Sequence, residues 1–180
     1  INMTKTRKLA YLSILLSLAL ALHIFERTLP LPMPVPGVKL GLANIVTLLT
    51  IIFFGFKEAL LIMIMRTFIG SVFGGGILAF CFSVAGGLLS TMVMALMYKK
   101  FIKYFSIPSV SITGAVFHNI GQITVASFVI QNVNLFYYLP VLLFSGIITG
   151  FFTGLLVQLT LKPLENIGAS LSFFPRSQPK

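Results

Sequence analysis

The sequence predicts an all-α integral membrane protein of six transmembrane helices, with both termini on the cytoplasmic side. Three observations carry that prediction. First, hydrophobic residues make up 57% of the 180-residue chain and charged residues only 9%, and mean hydropathy is +1.03. A water-soluble domain carries about 25% charged residues because it has a surface to solvate, so lipid must solvate most of this chain. Second, a bilayer crossing needs about 20 apolar residues; six crossings use about 120 and leave about 60 for short connections. Third, the basic residues sit in short groups between apolar runs, the pattern by which membrane orientation is encoded.

The first apolar run covers residues 9–25, behind Lys5, Arg7 and Lys8. Ala19-Leu20-Ala21 imitates a signal-peptide cleavage site, but the rest of the chain is equally apolar, so a retained helix is expected. Glu26 and Arg27 follow, then a segment over 30–37 with proline at alternate positions. Those prolines remove donors and favour extended geometry, which makes a stiff, non-helical loop. The second span is expected over 38–54, closed by Gly55, and the third over 59–73, extendable from Lys57 by snorkelling. Gly74-Gly75-Gly76 breaks the chain before a fourth span over 77–98. Lys99, Lys100 and Lys103 lie in the next connection, which Pro108 ends. The fifth span covers 111–130, an uncharged polar turn occupies 131–134, and the sixth span covers 138–161. Residues 1–162 thus read as one membrane domain and 163–180 as a cytoplasmic tail.

With the N-terminus inside, the cytoplasmic face collects Lys5, Arg7, Lys8, Lys57, Lys99, Lys100, Lys103, Lys162, Arg176 and Lys180. Only Arg27, Lys39 and Arg66 fall outside or within helices, so the asymmetry fixes the orientation. The net charge of +10 is accounted for by topology, and nucleic acid is rejected as a partner. The chain has no Asp, and its acids are Glu26, Glu58 and Glu165. Carboxylate-clustered Mg²⁺ chemistry cannot be built from these. Cys81 is the sole cysteine, which excludes an internal disulfide and a zinc–thiolate site. No phosphate-cradling loop is present, since Gly74-Gly75-Gly76 lacks the following Lys-Ser/Thr. No metal site, no catalytic residues and no enzyme activity are expected.

Arg66 is the most informative residue. Nine residues of about 1.5 Å rise place it near the bilayer midplane, where a guanidinium costs at least ~2.5 kcal/mol and is usually functional. No Glu is expected at its depth, so either backbone carbonyls or an anionic, carbonyl-rich ligand must satisfy it. Lys39 opens the second span and by itself reads as an interfacial lysine; Asn44 lies five residues further in. In the fifth span, His118 and Gln122 share a helix face, and Asn119 neighbours Gln122. Such polar groups either bond neighbouring helices or meet a ligand. Taken with Lys39 and Arg66, a pocket explains them better. Two small-residue stripes recur every fourth residue: Ser13, Ser17 and Ala21 in the first span, and Gly146, Gly150 and Gly154 in the sixth. Close helix packing is their ordinary use. The first stripe also suits docking to a separate membrane partner.

The segments Pro36-Gly37-Val38-Lys39-Leu40-Gly41-Leu42-Ala43-Asn44, Arg66-Thr67-Phe68-Ile69-Gly70-Ser71 and His118-Asn119-Ile120-Gly121-Gln122 together resemble the Gx transporter family. That family is also named heptaprenyl diphosphate synthase component I, and the resemblance covers nearly the whole chain. The family in turn resembles the six-helix substrate-binding (S) components of energy-coupling factor (ECF) transporters. The resemblance implies a small-molecule ligand site near the outer face beneath the proline-rich loop. It also implies docking of the first helix, through Ser13, Ser17 and Ala21, to a transmembrane T component, with cytoplasmic ATPases supplying energy. Relatives linked to flavin trafficking in Gram-positive bacteria imply riboflavin, FMN or FAD as cargo, with no covalently bound cofactor, in a bacterial cytoplasmic membrane. The synthase name implies the alternative, a membrane accessory subunit presenting prenyl diphosphate to a separate isoprenoid synthase. A chain without Asp cannot hold the Asp-rich Mg²⁺ motifs of that chemistry itself.

The orientation is checked by cysteine labelling in a Cys81→Ala background. Asn132→Cys should react with an impermeant reagent from outside and Lys100→Cys should not; the opposite pattern would invert the topology.

Overall fold

The computed structural model describes residues 4–28, 41–73 and 76–168. The described residues form six helices: α1 (Lys5–Thr28), α2 (Leu42–Phe54), α3 (Phe56–Val72), α4 (Gly76–Phe101), α5 (Ile107–Ile130) and α6 (Leu139–Gly168). A short 3-10 turn, Val133–Tyr138, precedes α6. The proline-rich segment 30–37 and Lys39 lie outside the described residues, as does the chain beyond 168. Four stretches are long and apolar enough to cross a membrane: Lys5–Glu26, Gly76–Phe101, Ile107–Ile130 and Val133–Pro163. At 13 residues, α2 is about 20 Å long, and α3, at 17 residues, about 26 Å. Both fall short of the ~30 Å hydrocarbon core.

Several boundaries move for identifiable reasons. The expected second span shortens at its start because Gly41 adopts a left-handed conformation (φ 73°) directly before Leu42. Pro108 opens α5 rather than ending a connection. It occupies the first turn, where its missing N–H is no loss, and the Ser106 side chain accepts from the Ser109 N–H at 3.4 Å. At the other end, α6 continues through Pro163 to Gly168, past the expected tail boundary at 162.

The helices run alternately up and down. Tyr11 stacks near Phe54 across α1 and α2, Phe68 meets Phe80 across α3 and α4, and Gly55 joins α2 to α3 with no intervening loop. Lys8 and Glu58 form an ion pair between the first turns of α1 and α3. That pair is partly exposed and contributes at most about 1 kcal/mol. The alternation brings Lys8, Lys57, Lys99, Lys100 and Lys162 toward one end of the bundle, here termed the basic end. Exposed Tyr137 and Tyr138 stand at the opposite end, and exposed Tyr104 and Phe105 at the basic end, spaced as aromatic girdles are at two interfaces.

The short helix is the central one. Eight of the 13 residues of α2 are buried, because α1, α3, α4 and α6 all pack against it. Its lower half supplies Leu48, Leu49, Ile51 and Ile52 to the main core with Ala59, Met94, Val110, Val157 and Leu161. A second cluster joins Ala19 of α1 to Val46 and Ile62.

Glycines set the spacing between α4, α5 and α6. A Cβ on Gly121 would stand 2.9 Å from the Ala85 carbonyl oxygen, and one on Gly150 would stand 2.7 Å from Ile112 Cα. The Gly146/Gly150/Gly154 stripe therefore faces α5, as internal packing requires, and Ser111 and Thr153 exchange a buried hydrogen bond of 2.9 Å beside it. Alanine is the better helix former by about 1 kcal/mol. Gly150→Ala should nevertheless destabilise the protein by about 1–3 kcal/mol, because the obstacle is backbone. Thermal unfolding in detergent measures this; a raised melting temperature would mean that α5 and α6 can separate freely.

Candidate functional site

The α2–α3 hairpin sets the depth of the first two polar residues. Asn44 and Arg66 are each eleven residues from Gly55, about 16.5 Å along antiparallel helices, so they stand at the same height. Arg66 is 7% exposed, and its Nε is buried without a hydrogen-bond partner. A buried donor left unmade costs about 1–3 kcal/mol, more when charged. An ionisable side chain this deeply buried in an apolar helix bundle is a candidate functional residue.

Two further contacts extend that level to α5. A Cβ on Gly87 would meet Met63 Sδ at 2.6 Å, and one on neighbouring Gly86 would meet the His118 carbonyl oxygen at 2.6 Å and its ring at 3.1 Å. Met63 and His118 therefore flank α4 at one height. One turn away from the basic end lie Arg66 on α3 and half-buried Gln122 on α5. Asn44, Arg66 and Gln122 thus share a level, with His118 a turn deeper.

Asn119 is directed elsewhere. Its Nδ2 donates to the Leu142 carbonyl oxygen at 2.6 Å, and a Cβ on Gly146 would stand 2.7 Å from the same nitrogen. Adjacent helical residues point about 100° apart, so His118 turns to α4 while Asn119 turns to α6. Its present contact is helix-to-helix bonding.

The expectation that no Glu reaches the depth of Arg66 is overturned. Glu26, 7% exposed at the end of α1, is the acid whose charge acts on Arg66. Its Oε1 also accepts from the Gly41 N–H at 2.6 Å, one turn beyond Asn44 at the N-terminus of α2. That is where a helix dipole favours a negative group. His23, three residues earlier on the same face of α1, packs over Gly70; a Cβ there would stand 2.7 Å from His23 Nε2. Ending the first span at residue 25 concealed this, since α1 continues through Glu26 to Thr28. The i, i+3 spacing of His23 and Glu26, opposite the Ser13/Ser17/Ala21 stripe, is the sequence signal that reveals it.

The stripe itself is exposed along its length. Ser17 and the fully buried Ala19 are about 160° apart around α1. Ile14, Leu18 and Phe25 are also exposed on this outward side. Among the described residues, no group of three His, Cys, Asp or Glu side chains could hold a metal ion.

The family model described as heptaprenyl diphosphate synthase component I matches residues 15–160. The chain belongs to that family. The stretch that matches in this component I family member includes Glu26, Asn44, Arg66, His118, Asn119 and Gln122. The chain matches no curated protein and no solved structure. Family membership and apolar helices together identify a membrane component.

Proposed function

We propose that this family member is a non-enzymatic, substrate-binding membrane subunit. On this reading it resembles the S component of an ECF-type transporter and moves a small vitamin-like or flavin ligand (riboflavin, FMN or FAD) across a bacterial cytoplasmic membrane. The observation that carries the reading is Arg66. It is buried at mid-bundle with an unbonded Nε, level with Asn44 and Gln122 and close to the N-terminus of α2. A ligand with carbonyl or phosphate oxygens supplies the acceptor that the bundle withholds. In this reading all six helices cross the membrane with both termini inside, the basic end is cytoplasmic, and the site opens outward, with Lys39 and His118 contributing. The short α2 and α3 are accommodated by burial within the bundle, where backbone need not meet lipid.

The partners are a transmembrane T component and cytoplasmic ATPases, since the chain has no phosphate-cradling loop of its own. The exposed Ser13/Ser17/Ala21 face supports α1 as the docking helix. A second reading has one specific support, the family description itself. It makes the protein a membrane subunit that presents prenyl diphosphate to a separate synthase.

Calorimetry with flavins and with prenyl diphosphates separates the two. Charge-assisted hydrogen bonds contribute about 1.5–3 kcal/mol, so Arg66→Ala should weaken binding about 10- to 150-fold. Arg66→Lys should recover only part of that, because a point charge lacks the planar fork. Unchanged affinity in folded Arg66→Ala protein would remove Arg66 from the site. For docking, Ser17→Leu or Ala21→Leu should block assembly with the T component while ligand affinity is retained; assembly surviving both would place the docking face elsewhere.

A further inference from the structure

Two adjacent hydroxyls on α4 are buried without a hydrogen-bond partner. Ser90 and Thr91 are each 1% exposed, and neither Ser90 Oγ nor Thr91 Oγ1 is bonded. Every other buried serine and threonine among the described residues makes a bond. Thr50 and Thr67, for example, each donate at 2.7 Å to a carbonyl one turn back in their own helix, the ordinary way to satisfy a hydroxyl there. Ser90 and Thr91 forgo that bond. A buried hydroxyl left unmade costs stability, so two side by side call for an explanation beyond packing.

Their position supplies one. Thr91 lies one turn toward the basic end from Gly87, where a Cβ would meet Met63 Sδ at 2.6 Å. Counting 1.5 Å per residue from that contact puts Arg66 about 4.5 Å to one side and Thr91 about 6 Å to the other. The hydroxyl pair is therefore about 10 Å nearer the basic end than Arg66. A Cβ on Gly114 of α5 would stand 3.2 Å from Ser90 Oγ and 2.5 Å from Met94 Sδ. The pair is thus bracketed by two buried methionines seated on glycines, Met63 above and Met94 below. Both are unbranched side chains that repack by turning about their own bonds, so room beside the hydroxyls can open without moving a helix. Resting on the substrate-binding reading above, we propose that Ser90 and Thr91 form a second polar station of the same site, which takes an uncharged hydroxyl or carbonyl group of the ligand. Each hydroxyl can both donate and accept, but the pair offers no full charge to a phosphate. The ligand class that fits is polar at both ends, with an acceptor for Arg66 and a neutral polar group about 10 Å away.

The test uses the full chain purified in detergent and two probes: riboflavin, and lumiflavin, the same ring with a methyl group in place of the hydroxyl-bearing chain. Removing hydroxyls that are unbonded in the resting protein removes a cost. Thr91→Val keeps the side-chain shape and nearly the same helix propensity, so it should raise the ligand-free melting temperature by about 2 °C or more. In the double variant Ser90→Ala/Thr91→Val, riboflavin affinity should fall about 10-fold while lumiflavin affinity stays within about threefold. Thr91→Val alone should shift riboflavin affinity in the same direction, and it decides the matter where the double variant folds poorly. A lowered ligand-free melting temperature in Thr91→Val would mean that the hydroxyl is already bonded in the resting protein, by water for instance, and would overturn the station. Unchanged riboflavin affinity, or an equal loss for both flavins, in folded variant protein would also overturn it while ligand binding stands. If neither flavin binds the wild-type protein, the flavin reading falls and this inference falls with it.

Discussion

A guanidinium sealed inside an apolar helix bundle has to be balanced by charge, by hydrogen bonds, or by something that arrives. That constraint on Arg66 organises this molecule. α1 brings Glu26 to it across the α1–α3 interface, and α2 stops short so that Gly41 and Asn44 stand near it rather than at a distant surface. The Glu26 charge acts on Arg66 while Nε still has no acceptor. Coulomb attraction acts over several ångströms whereas hydrogen bonding does not.

The remainder of the bundle divides by packing material. Between α4, α5 and α6, glycine lets backbones approach so closely that even one methyl group has no room at Gly121 or Gly150. In lipid there is little hydrophobic reward for association, so close van der Waals contact and bonds such as Ser111–Thr153 must hold these helices together. α1 is attached differently, by a narrow face of Leu12, Leu15, Leu16, Ala19 and Leu22 and the Lys8–Glu58 pair. Most of its surface stays outside the bundle.

Much of this was legible in the sequence. The six apolar periods give six helices, and the Gly146/Gly150/Gly154 stripe gives an internal contact. Arg66 stands out wherever hydropathy is read. What the sequence hides is pairing across distance. Glu26 lies forty residues from Arg66, and nothing in its neighbours shows that α1 and α3 run parallel with their inner turns tied together. The direction of Asn119 was equally hidden. Its place on α5 allows a ligand or a neighbour, and only the approach of α6 at Gly146 decides for the Leu142 carbonyl. The length of α2 was misjudged because apolar character continues through Leu40 while the helix starts after Gly41, at a left-handed residue that hydropathy cannot register.

The brevity of α2 bears on the permeability barrier. A conventional span interposes about 30 Å of hydrocarbon between two aqueous phases, whereas α2 covers about 20 Å. On the substrate-binding reading, a ligand held beside its N-terminal turn would lie about 10 Å inside a barrier of that thickness. The distance left for any moving part is correspondingly smaller. On that reading the membrane potential would drop across a thinner low-dielectric layer than in the surrounding bilayer, and a charged ligand would feel the steeper field more than a neutral one.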